Sequence, residues 1–124
     1  MALSTDEEVA ALLELIVTSL DDDKAEALEV IDLAGKSDIA DHMVIASGRS
    51  STHTKAMADH LIFKLKHDGK PALSVAGQGA GDWIAIDAVD VLVHLFRPEV
   101  RDFYRLEDMW KGDFERNIAA IEVG

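Results

Sequence analysis

Apolar residues open the chain at helical spacing: Val9, Leu12, Leu13, Ile16, Val17 and Leu20 fall on one stripe. Thr5 with Glu8 forms a capping box ahead of that stripe, Ser4 with Glu7 being the competing pair. The acids of the first turn suit the positive end of the helix dipole, and Asp21-Asp22-Asp23 ends the helix in a solvated turn. From Ala27 to Leu33 the period changes to alternation, with Leu28, Val30 and (less cleanly) Asp32 on one side and Glu29, Ile31 and Leu33 on the other. After a Gly35-Lys36-Ser37 loop, His42 to Ala46 reads as a second strand. Gly48-Arg49-Ser50-Ser51 turns the chain into a helix over about Thr52 to His67, whose buried face is Met57, Leu61 and Leu65 with Ala58 and Ile62. Gly69 stands at the C-terminal capping place and Pro71 stops any continuation.

A strand over Pro71 to Ala76 follows, so that residues 42–76 fit a strand–helix–strand crossover with parallel strands and a right-handed connection. Past the loop Gly77-Gln78-Gly79-Ala80-Gly81, the pattern predicts adjacent strands at 83–87 and 90–96. Their link, Asp87-Ala88-Val89-Asp90, lacks the glycine of a tight primed turn. Pro98 opens a helix through Trp110, Gly112 breaks it, and Phe114, Ile118 and Ile121 mark a short amphipathic tail. There is no repeat, low-complexity segment or linker. These elements predict a single-domain α/β fold, a mixed sheet of about five strands covered by helices, in two segments: 1–111 as the α/β domain and 112–124 as the tail.

Composition then sets limits. A chain of 124 residues, 48% hydrophobic, has room for one core, burying about two-thirds of the surface that its unfolded form exposes. Without cysteine it forms no disulfide, thiolate nucleophile or cysteine-ligated zinc site. Its apolar runs fall far short of the roughly 20 residues that span a bilayer. Asp6, Glu7 and Glu8 stand where a secretory signal needs positive charge, so the expectation is a cytoplasmic protein. The net charge of −12 disfavours nucleic acid and anionic lipid as direct partners. Residues 1–32 hold ten acids and one base, Lys24, a surface that steers basic proteins toward it. Acidity of this kind also simply keeps a small protein soluble.

Candidate chemistry is sparse. The Gly48–Ser51 turn resembles the Gly-Ser turn of nucleotidyltransferases, yet the following strand has no Asp-x-Asp pair to hold magnesium, and a plain N-cap accounts for it better. Asp32, Asp41, Asp87 and Asp90, with His94, could cluster around a hard cation; turn aspartates bonding nearby N–H groups are the simpler account. His94 shares its face with Leu92 and Phe96, which suits a hydrogen-bonded, half-buried imidazole. His53 and His60 share a helix face at seven residues' separation, where a helical metal pair wants about four. Trp83 shares its face with Ala85 and Asp87, away from the deep core. Helix 98–110 carries Val100, Phe103, Glu107 and Trp110 on one stripe, and Arg101, Tyr104, Arg105 and Asp108 on another, residue types that dominate binding hot spots. The bulky rings point to contact rather than catalysis.

Four stretches then carry a resemblance. They are Lys24-Ala25-Glu26 before Ile31-Asp32-Leu33; Ser37-x-Ile39-Ala40-Asp41-His42-Met43-Val44-Ile45-Ala46-Ser47-Gly48-x-Ser50-x-x-His53; Trp83-Ile84-x-x-Asp87-x-x-Asp90-Val91-x-Val93-His94; and Arg101-x-x-Tyr104-x-Leu106-Glu107-x-Met109-Trp110. Together, over about residues 5–111, they resemble the ribosomal silencing factor, or Iojap, family. The resemblance implies a nucleotidyltransferase-like fold without transferase activity, in agreement with the missing Asp-x-Asp pair, and no cofactor or metal. It implies binding to the large ribosomal subunit through a basic protein, the fourteenth of that subunit, blocking small-subunit joining when nutrients are scarce. It also implies a homodimer when free, and for some organellar members a role in large-subunit assembly. Carried onto matching positions, the partner-binding residues are Trp83, Asp87, Asp90, His94, Arg101, Tyr104, Glu107 and Trp110, while Asp41, Gly48, Ser50 and His53 are structural. The chain departs from the family at Ala76, where members often carry Glu, and at Val89, where Gly is common. The competing class is a degenerate metal-dependent nucleotidyltransferase using Asp32, Asp87 and Asp90.

Overall fold

The computed structural model describes residues 5–34 and 40–99. In chain order the elements are α1 (Asp6–Asp22), β1 (Glu26–Asp32), β2 (His42–Ser47), α2 (Ser51–His67), β3 (Ser74–Ala76), β4 (Trp83–Asp87) and β5 (Val91–Phe96). Thr5 caps α1 as its sequence predicts, its hydroxyl accepting the Glu8 N–H at 3.1 Å. Ser50 caps α2 in the same way, accepting the His53 N–H at 3.1 Å. Each bond satisfies one of the N–H groups that a helix start leaves without a partner.

The five strands form one sheet in the order β1-β2-β5-β4-β3. β2 and β5 are parallel, and every other neighbouring pair is antiparallel. The crossover expected over residues 42–76 is thus wider than the sequence suggests. β2 and β3 do run in the same direction, but β5 and β4 lie between them. The sheet is filled at its centre by the last strand of the described chain, and β3 is displaced to the edge. β3 is also shorter than the run from Pro71, pairing only at Ser74, Val75 and Ala76.

Two apolar layers result. α1 and α2 lie on one face, where Leu12, Ile16, Leu20, Met57, Leu61 and Leu65 close over Val44, Ile84, Ile86, Val93 and Leu95. Period-2 alternation sends the remaining side chains to the other face. There Ile31, Leu33, Ala40, Met43, Ile45, Leu92 and Phe96 form a second buried cluster with Trp83 packed against it. Neither α1 nor α2 lies on this second face. Among the described residues no helix is long and apolar enough to cross a membrane. The helix expected from Pro98 falls outside the described residues beyond position 99, as does the tail.

Candidate contact surface on the second sheet face

The register of β4 and β5 builds the site. Trp83 lies opposite Phe96, Ala85 opposite His94 and Asp87 opposite Leu92, so these six residues share the second face. The Trp83 ring tilts against Phe96 with centroids 4.9 Å apart and against His94 at 5.9 Å, while His94 stacks near Phe96 at 6.1 Å. Trp83 Nε1–H donates to His94 Nδ1 at 2.9 Å. An Nδ1 that accepts leaves the ring proton of a neutral imidazole on Nε2. His94 is 1% exposed, more deeply buried than its sequence pattern suggests. Burial lowers its pKa from 6.5 to about 4, because the charged form would have to leave water. His94 therefore holds Trp83 from beneath, and the indole, half-buried at the edge of the apolar cluster, is the member of the trio that reaches the surface.

The loop before β4 fits closely over this strand. A Cβ at Gly77 would fall 2.0 Å from the Trp83 carbonyl oxygen, and the φ of +85° is one that side chains disfavour. Glycine is the residue that lets the loop lie against the Trp83 backbone. At the other end of β4, Asp87 Oδ1 accepts the Val89 N–H at 2.9 Å, and the Ala88 N–H bonds the Val91 carbonyl at 3.0 Å. The Asp90 carbonyl accepts from both Asp41 and His42 N–H groups, at 2.9 and 3.2 Å, and so ties this turn to the start of β2.

The aspartates near strand ends behave as turn residues. Asp32 Oδ1 accepts the Ala34 N–H at 2.9 Å, as Asp87 does for Val89. Asp41 enters the ladder through its backbone, its carbonyl accepting the Leu33 N–H at 2.8 Å. Among the described residues no three His, Asp or Glu side chains converge as a metal site would need.

The strand–helix turn is a junction between elements. A Cβ at Gly48 would meet Thr54 Oγ1 at 2.5 Å and Met57 Cε at 3.0 Å, so glycine lets β2 end directly against α2. His53 Nδ1 accepts the Arg49 N–H at 2.9 Å and its Nε2–H donates to the Asp23 carbonyl at 2.7 Å. His60 Nδ1 lies 2.8 Å from Asp23 Oδ2. The two histidines do share a face of α2, and what they hold is the C-terminal end of α1. The sequence singles out both rings and misses Asp23 as their common partner, because that partnership depends on how α1 and α2 pack.

Arg101, Tyr104, Glu107 and Trp110 lie outside the described residues. Within them, Trp83, Asp87, Asp90 and His94 all belong to β4, β5 or the turn joining them.

Comparison with known proteins agrees with the fold and narrows its meaning. Residues 6–123 match the family model described as "Ribosomal silencing factor during starvation". The chain is 54% identical over 99 residues to ribosomal silencing factor RsfS of Zymomonas mobilis, covering 80% of this chain and 74% of that one. It is 32% identical over 113 residues to the mouse protein "Mitochondrial assembly of ribosomal large subunit protein 1", covering 88% of this chain and 50% of the mouse protein. A crystal structure of a Chromobacterium violaceum protein superposes with a TM-score of 0.81 at 32% identity, covering 85% of this chain and 88% of that one.

Proposed function

The chain belongs to the ribosomal silencing factor family, and from that membership we propose that it represses translation by occupying the large ribosomal subunit. The family is non-catalytic, so the action is occupancy, with no bond made or broken. In this reading the chain docks on the fourteenth large-subunit protein, a basic partner, and sterically keeps the small subunit from joining when nutrients are limiting. It works in the cytoplasm and pairs as a homodimer when free. The observation that carries the reading is the family match over residues 6–123.

The geometry supports a particular docking face. The Trp83 indole, held by His94 and Phe96, is a rigid aromatic anchor with one side still accessible. Asp87 and Asp90 stand at the end of the same hairpin and offer carboxylates to a basic partner. Arg101, Tyr104, Glu107 and Trp110 complete the proposed surface from outside the described residues. About 800 Å² on each partner suffices for a stable block. His94 contributes by fixing the indole, not by touching the partner.

The test is light scattering of purified small and large subunits with and without the chain. Less association in its presence is expected; unchanged association at saturating chain removes the reading. The mouse relative's name favours a second reading, a large-subunit assembly factor. On a sucrose gradient that role shows as co-sedimentation with immature particles in preference to mature ones.

A further inference from the structure

The helical side of the molecule carries a second surface that docking through Trp83 leaves free. Between the outward flanks of α1 and α2 runs a groove of about 520 Å³. Ala11, Leu15 and Phe63 supply its apolar lining, and Glu14, Asp22 and Asp68 its carboxylates. Phe63 is 68% exposed, an unusual position for so large an apolar ring. It stacks on His67 one helical turn away, with centroids 6.0 Å apart and planes within 7°. Lys64 Nζ–H donates to Ser19 Oγ at 3.1 Å across the groove, which joins the two helices and directs that cation at the buried hydroxyl.

We propose that this groove is a docking site for a basic amphipathic helix of a partner protein. The charge decides the occupant. Three carboxylates line the groove against the single ammonium of Lys64, on a chain whose net charge is −12. A second copy of so acidic a chain would meet repulsion there, whereas a Lys- or Arg-flanked apolar stripe meets complementary charge. The α1 wall from Ala11 to Asp22 presents about 16 Å of groove, the length of about three helical turns. An apolar side chain of the partner seats between Leu15 and Phe63, and its flanking cations reach Glu14 and Asp22, the helix-in-groove mode of recognition. The groove lies on the side of the sheet away from Trp83, so both surfaces can be engaged at once.

Fluorescence anisotropy of the full chain tests this with a labelled 14-residue peptide of Leu, Lys and Ala, its leucines at helical spacing, and with the same peptide carrying Glu for Lys. The Lys peptide binds and the Glu peptide does not. Phe63→Ser and Glu14→Lys each weaken binding about tenfold, as loss of an anchor does, while Asp59→Lys, an equal charge change on α2 outside the groove, changes it little. Equal loss from Asp59→Lys, or none from Phe63→Ser, overturns the proposal. So does sedimentation that shows the chain self-associating through Phe63, since the occupant would then be a second copy.

Discussion

Val89 sits in the β4–β5 turn with φ of 73°, a conformation that costs a β-branched residue about 1–2 kcal/mol. Its side chain is 48% exposed, so little packing offsets that cost. The Asp87 carboxylate holds the turn through the Val89 N–H, a bond that any residue at this position keeps. Val89→Gly therefore stabilises the fold by about 1 kcal/mol, after the extra chain entropy of glycine is charged against the strain relieved. Urea denaturation reads this as a higher midpoint at constant slope. Beneath the same hairpin, His94 makes stability depend on pH. Its folded pKa of about 4 lies below the ordinary 6.5, so between those values the unfolded chain binds the proton more readily. The folded state keeps its full stability above pH 6.5 and loses it as pH falls toward 4. Going from pH 7 to pH 5 costs about 2 kcal/mol through this one group. In paired urea melts His94→Gln loses less stability over that interval than the parent chain, whatever its stability at pH 7. Equal losses would place the pH dependence elsewhere.

The elements differ in how far the sequence reveals them. Both described helices are legible because their determinants lie within a few residues, as with Thr5 and Glu8. The sequence places the second cap only within the Gly48–Ser51 turn, and the structure assigns it to Ser50. The parallel pairing of β2 with β5 joins segments about fifty residues apart, and no local pattern chooses it over β2 beside β3. The candidate site is legible by half. Trp83 and His94 each stand out, and each has the face its alternation predicts. That the two faces are one follows only from the register, Ala85 opposite His94, which the turn at Val89 sets. Burial of His94 follows from the same register. The β2–α2 junction offers a test at this scale. Gly48→Ala drives a methyl group toward Thr54 Oγ1 and the α2 backbone, costing about 1–3 kcal/mol as overpacking. The thermal midpoint falls accordingly, while far-ultraviolet circular dichroism at low temperature keeps its shape.

For the whole molecule, the proposed contact surface and the stability of the fold meet at Trp83. The ring packs on Phe96 and bonds His94, so Trp83→Ala weakens the fold by about 2 kcal/mol or more as well as weakening large-subunit binding by about tenfold. Trp83→Phe separates the two, because it keeps most of the ring and removes the Nε1–H donor. Co-sedimentation with large subunits, at a temperature where melts show each variant folded, gives the order parent, Trp83→Phe, Trp83→Ala. Full binding by folded Trp83→Ala would move the contact surface off this face. The described sheet also ends in a way that governs what the molecule does when crowded. Along β1 the register shifts between Glu26 and Glu29, Ala27 takes a φ of 50°, and Glu26, Glu29 and Asp32 line the strand with carboxylates. At the opposite margin β3 has only three residues. Bulged, charged or very short margins offer poor templates for an incoming strand. Growth of ribbons by edge-to-edge addition is thereby discouraged, so that the chain tolerates high local abundance without seeding fibres.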